Sequence, residues 1–217
     1  MYDLFHASSC LVSSGSARHG WNLVDSTAAV EAAWTAWSDD NGLDRAEVLA
    51  ACHGPDAATT VRRFLPGLSE AEVAEHVMAH LERECADTAG VYPAGGALEL
   101  VAWMDEQALP WAVVTNAHLR LARTRLGAAG IRPPTIVSFD DVERGKPHPE
   151  GYLLGARRLG VEPRRVAGVE DSAPGLEAVR AAGMVAVAVG GVWGADIVCR
   201  DLHELRRLLD MARGGVW

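Results

Sequence analysis

From residue 94 onward the apolar and polar positions alternate between two periods. Short apolar runs at 111–114, 135–139, 165–169 and 185–189 are rich in Val or Ile and close on Gly or polar residues. Around them lie stretches with the helical spacing of apolar residues, at 94–108, 117–129, 149–159, 174–182 and 201–212. Uninterrupted apolar runs of that length predict strands buried on both faces, and strands alternating with helices predict βαβ units and a parallel sheet. Ligands of such sheets bind at the carboxyl ends of the strands.

The stretch 26–90 is helical throughout and contains no strand-like run. Asp44 with Glu47, and Ser69 with Glu72, have the spacing of capping boxes that start helices. Val73, Val77 and Leu81 then make an apolar stripe, as a helix packed on its neighbours requires. Trp34 and Trp37 are assigned to the core of this part. His76 and His80 have the i, i+4 spacing of metal ligands, but with no third ligand in view they are assigned to the flank of the packed face. The predicted architecture is α/β: a Rossmann-like parallel-sheet core from 1–25 and 91–217, with a small helical domain, 26–90, inserted into it.

The 217 residues, 49% hydrophobic and 23% charged, suit one globular unit with a sizeable core. A net charge of −9 argues against nucleic acid or an anionic membrane as partner, because phosphate polymers demand a basic footprint. A small soluble ligand is expected, taken up by a monomer or homodimer. Cys10, Cys52, Cys85 and Cys199 show no CxxC spacing, which favours reduced thiols and a cytoplasmic protein. No apolar run approaches the roughly 20 residues of a membrane span. Of the 20 basic residues only Lys146 is a lysine. A chain that uses Arg wherever a positive charge suffices, and keeps one compact ammonium, marks that position as a candidate site residue.

Three clusters stand at predicted strand ends. Thr115-Asn116 follows the strand at 111–114 and offers a hydroxyl and backbone amides to a phosphate oxygen, although a Thr capping a helix is equally ordinary. Gly145-Lys146-Pro147-His148-Pro149 holds the lone ammonium between a Gly and a Pro, where its charge would offset phosphoryl oxygens. Glu170-Asp171-Ser172 follows the strand at 165–169, and adjacent carboxylates there supply hard oxygen ligands for Mg²⁺. In order and spacing these resemble motifs II, III and IV of the haloacid dehalogenase (HAD) superfamily, and 26–90 is similar to the helical cap that the superfamily inserts after motif I. The resemblance implies a Mg²⁺-dependent phosphatase of a small phosphorylated metabolite, a sugar or polyol phosphate. Thr115, Asn116 and Lys146 would hold phosphate, and Glu170 and Asp171 the metal. His53-Gly54 is similar to a His-Gly element of members acting on such substrates, though His53 could equally be a helix-end residue.

The first motif is missing. The superfamily's central strand ends in Asp-x-Asp-Gly-Thr, followed by Leu-Val-Asp-Ser, where the first Asp is the nucleophile and the second the general acid/base. Leu23-Val24-Asp25-Ser26 is present; counting back from it puts Arg18 at the nucleophile and Gly20 at the acid/base position. Neither can form an acyl-phosphate or move a proton. The preceding Ser13-Ser14-Gly15-Ser16-Ala17 is polar where the central strand should be apolar. Arg18 to Asn22 can be encoded CGA CAT GGA TGG AAC, which with the next C reads, one base on, as Asp-Met-Asp-Gly-Thr. The expectation is that the segment before Leu23 is an out-of-frame translation, with a one-base slip close to Leu23 restoring the frame. The main expectation is a phosphatase acting through an aspartyl-phosphate. The alternatives are a non-catalytic protein holding a phosphorylated ligand, with Arg18 in place of the nucleophile, and a sugar phosphomutase. A dehalogenase would leave the acidic pair idle.

Overall fold

The order of six parallel strands shows how the chain is wound. In the computed structural model, which describes residues 9–13, 23–53, 56–191 and 194–214, strands β1 (Ser9–Ser13), β4 (Trp111–Val114), β5 (Ile136–Val137), β6 (Val166–Glu170), β7 (Val185–Val189) and β8 (Ile197–Cys199) form one sheet. Their order is β5-β4-β1-β6-β7-β8, and every adjacent pair is parallel. Successive side chains of a strand point to opposite faces, and the core divides accordingly. Cys10, Val12, Trp111 and Val113 pack with Leu100 and Met104 of α5 (Ala97–Glu106) and with Leu202 and Leu205 of α9 (Leu202–Gly214). Leu11, Ala112 and Val114 pack on the other face with Tyr152 and Ala156 of α7 (Glu150–Leu159) and with Leu176 and Val179 of α8 (Ala173–Ala181). Helix α6 (Leu119–Ala128) adds Leu126 to the first cluster.

Two expectations about strands are corrected. The central strand is present and is built from Ser9–Ser13, upstream of the polar run in which it was missed; Cys10, Leu11 and Val12 are fully buried between β4 and β6. The run at 135–139 yields only the short edge strand β5. Two prolines precede it, and Ser138 opens a tight turn over Phe139–Asp141 in which Asp141 accepts from both the Ser138 amide and its hydroxyl. Helix α5 starts three residues later than expected because Gly96, with φ 83°, makes the entry turn.

A second, antiparallel pair joins β2 (Val24–Asp25) to β3 (Tyr92–Pro93). Between them run α1 (Thr27–Asp40), α2 (Arg45–Ala51), α3 (Ala57–Phe64) and α4 (Glu70–Ala86). These helices have their own apolar cluster: Val30, Trp34, Trp37, Val48, Cys52, Val61 and Val73. Ser69 and Glu72 close a full capping box at α4, and Asp44 caps α2 through the Glu47 amide. His76 accepts from the Trp37 indole at 3.2 Å, and His80 stacks on Trp34 with ring centroids 3.9 Å apart, so both histidines belong to the packing of this bundle.

Candidate active site

Strands β4, β1 and β6 end side by side, and the three sequence clusters meet at those ends. The last described row of the β1–β4 ladder pairs Ser13 with Val114, one residue short of Thr115. Thr115 is buried; its amide donates to Val137 O, and its hydroxyl accepts from the Ala117 amide at 3.1 Å, which turns the chain toward α6. Asn116 closes the next contact. Its side-chain oxygen accepts from the Lys146 amide at 3.0 Å and its side-chain nitrogen donates to Lys146 O at 3.4 Å. The Asn116 side chain is thus a clamp on the Lys146 backbone, which leaves its main-chain amide as the group that could meet phosphate. Gly145 permits that clamp, because a Cβ there would lie 2.8 Å from the Asn116 side-chain oxygen. From the other side Glu150, at the start of α7, accepts from the amides of Glu143 and Arg144 and ties the loop back on itself.

The Lys146 ammonium enters the site with only a tenth of its side chain exposed. It donates to Val114 O at 3.0 Å and to Glu170 Oε1 at 2.5 Å. Tyr152, which the sequence reading missed, donates its hydroxyl to the same Glu170 oxygen at 2.6 Å, and the Ser172 hydroxyl donates to Glu170 Oε2 at 3.0 Å. Glu170 is fully buried and its two oxygens take three donors, which satisfies a charge that burial would otherwise make very costly. Burial first, and the Glu170 charge second, raise the Tyr152 pKa well above that of a free phenol, so the hydroxyl stays a donor. Gly175 makes room for this carboxylate: a Cβ on it would lie 1.9 Å from Glu170 Cδ. The helical pattern held one clue to Tyr152, a phenol on a helix face otherwise apolar.

The acidic pair thus divides. Glu170, expected as a metal ligand, is the buried counter-ion of Lys146. Asp171 follows it at the strand end and is nine-tenths buried. Mg²⁺ is held by one or two carboxylates together with waters and substrate phosphate, so the donor type fits. Among the described residues, no three His, Cys, Asp or Glu side chains gather as a metal site. Arg18 and Gly20, at the motif I positions, lie outside the described residues, as does Gly54. His53 is not brought to this group; beyond the end of α2 its Nε2 lies 3.1 Å from Glu31 Oε1 on α1.

The family model described as haloacid dehalogenase-like hydrolase matches residues 22–183. Hexitol phosphatase A of Escherichia coli (strain K12) is 40% identical over 190 residues, which cover 84% of this chain and 88% of that protein. 2-Deoxyglucose-6-phosphate phosphatase 1 of Saccharomyces cerevisiae is 30% identical over 84% of this chain and 85% of its own length. Among solved structures, CbbY from Rhodobacter sphaeroides in complex with phosphate superposes with a TM-score of 0.76 at 24% identity, covering 92% of this chain and 96% of that one, and shares the fold.

Proposed function

The chain belongs to the haloacid dehalogenase-like hydrolases, and from that premise we propose that its site is that of a Mg²⁺-dependent phosphomonoesterase for a small sugar or polyol phosphate. One observation carries the reading: the only lysine is clamped by its backbone to Asn116 and presents its ammonium, paired with Glu170, at the strand ends beside Thr115 and Asp171. That is a preorganised positive charge where a phosphoryl group's oxygens would lie. The names of the relatives, a hexitol phosphatase and a sugar-phosphate phosphatase, support the substrate class. Asp171 would hold Mg²⁺, which supplies further charge neutralisation on the phosphate when bound. Thr115 would donate its hydroxyl to a phosphoryl oxygen, and Lys146 would neutralise another. The bundle α1–α4, spanning the proposed domain 26–90, would act as a cap that excludes water and selects the leaving group. The four cysteines are free thiols, which supports a reducing, cytoplasmic setting, and among the described residues no helix is long and apolar enough to cross a membrane.

An aspartate at position 18 would attack phosphorus, release the alcohol and form an aspartyl-phosphate that water hydrolyses; Arg18 cannot. The frame-slip account rests on codons for residues 18–22, and the gene's DNA sequence decides it. The central strand itself is intact, since Ser9–Ser13 supplies it between β4 and β6. That same observation favours a second reading, a folded phosphate-ligand-binding protein without catalysis.

The test compares Mg²⁺-dependent phosphate release from sugar and polyol phosphates by three proteins. They are the chain itself, the chain carrying R18D, H19M, G20D, W21G and N22T, and that variant with residues 14–17 also deleted. The deletion matters because nine residues, 14–22, separate β1 from Leu23, whereas the motif occupies only 18–22. Release by either repaired protein, and its loss on Lys146→Ala, is the expected result. Folded but inactive repaired proteins that still bind orthophosphate would transfer the assignment to the binding reading.

A further inference from the structure

Glu170 Oε1 carries two donors at once, Lys146 Nζ at 2.5 Å and the Tyr152 hydroxyl at 2.6 Å. Tyr152 is fully buried on α7, and the centre of its ring lies 5.3 Å from the ammonium. A carboxylate oxygen shared between two donors holds each less firmly than it would hold one. A buried carboxylate abandoned by its only cation is heavily penalised unless other donors remain. Glu170 has no exposure through which water could replace a departing lysine, but it keeps Tyr152 on Oε1 and Ser172 on Oε2.

We propose that Tyr152 is a positioning residue for Lys146: its hydroxyl, with that of Ser172, keeps Glu170 satisfied so that the ammonium can move from Glu170 to an arriving phosphoryl oxygen. Glu170 then acts as a parking place for the lysine rather than as a trap. The inference rests on the reading of Lys146 as a phosphate ligand. It assigns Tyr152 a role separable from packing, because Tyr152→Phe keeps the ring and removes only the donor. Without the hydroxyl, Glu170 Oε1 would bind the ammonium alone, and phosphate would have to compete with a tighter ion pair.

The chain's single lysine makes this directly readable. An amine-reactive N-hydroxysuccinimide ester modifies Lys146 and the N-terminus, and peptide mass spectrometry separates the two. In full-length Tyr152→Phe, Lys146 should be modified more slowly and orthophosphate should bind more weakly, each by about tenfold, the scale of one hydrogen bond to a charged group. Adding Glu170→Gln to that variant should restore the modification rate to at least its original value, which a purely structural loss would not do. Replacing all tyrosines by 3-fluorotyrosine, a stronger donor in an almost unchanged volume, should speed modification, so the idea is exposed to refutation even if Tyr152→Phe folds poorly. Unchanged Lys146 reactivity in folded Tyr152→Phe, or slower modification in the fluorinated protein, overturns the proposal. If orthophosphate fails to protect Lys146 in the unaltered protein, the phosphate-site reading fails instead, while the reactivity comparison still decides what Tyr152 does to the lysine.

Discussion

Glu84 on α4 and Arg125 on α6 meet at 2.5 Å with 10% and 14% of their side chains exposed, joining the four-helix bundle to the sheet domain. Glu82 and Arg120 pair alongside them at the surface. The two contacts differ in energetic weight, because water screens the outer pair and is largely excluded from the inner one. Burial raises the Glu84 pKa even though the Arg125 charge opposes that shift, so desolvation is the larger effect on this carboxyl.

Arg125→Ala should therefore cost about 3 kcal/mol, as expected when one partner of a buried ion pair is removed. Arg120→Ala should cost well under about 1 kcal/mol. Urea midpoints at neutral pH measure both. A double change, Glu84→Leu with Arg125→Leu, should recover much of the loss; if it is as unstable as Arg125→Ala alone, the stranded carboxylate is not the cause.

His80 predicts an acid-side loss of stability. Its pKa is pushed from 6.5 down to about 4 by burial first, then by Arg125 and Arg83. The unfolded chain takes up a proton as pH falls below 6.5 and the folded chain does not, so stability declines between pH 6.5 and about 4. Glu84, 3.8 Å from His80, acts in the opposite sense, since its raised carboxyl binds a proton more readily in the folded state. Trp34 completes the surroundings as an uncharged stacking partner. The net loss expected is on the order of 2 kcal/mol. His80→Phe should flatten the dependence of unfolding free energy on pH in that window, and an unaltered slope would show that other groups set it.

Gly175→Ala should be far more damaging than a helix-favouring substitution normally is. Ala is the better helix former by about 1 kcal/mol, but the new methyl would occupy the space of the Glu170 carboxylate. Displacing that carboxylate loosens Lys146, Tyr152 and Ser172 together. The expected result is a net destabilisation of about 2–3 kcal/mol, seen as a lower melting temperature, with a matching loss of orthophosphate binding. Gly127→Ala in α6, where a Cβ would meet nothing within 4 Å, is the control and should be neutral or stabilising.

The α/β alternation was legible in the chain before any fold was known. The runs at 111–114 and 185–189 became β4 and β7 residue for residue, because a strand buried on both faces must be apolar at every position. Thr115 and Asp171 stand out in the chain because each lies at the end of such a run, and Lys146 because it is the single lysine; the parallel sheet brings strand ends to one edge. The central strand was hidden: Ser9–Ser13 has polar ends, and only the ladder to β4 and β6 selects it over the residues that follow. The contacts of the motif side chains became visible only in the folded chain. Spacing cannot tell which of two adjacent carboxylates turns inward, so Glu170 and Asp171 read alike in the chain. The fold turned Glu170 onto Lys146, Tyr152 and Ser172. Tyr152 lies 18 residues before Glu170 in sequence, and no local pattern couples them. The coupling arises because α7 packs on the face of the sheet where β6 delivers its last side chain, and a buried charge must find its donors among whatever the packing brings near.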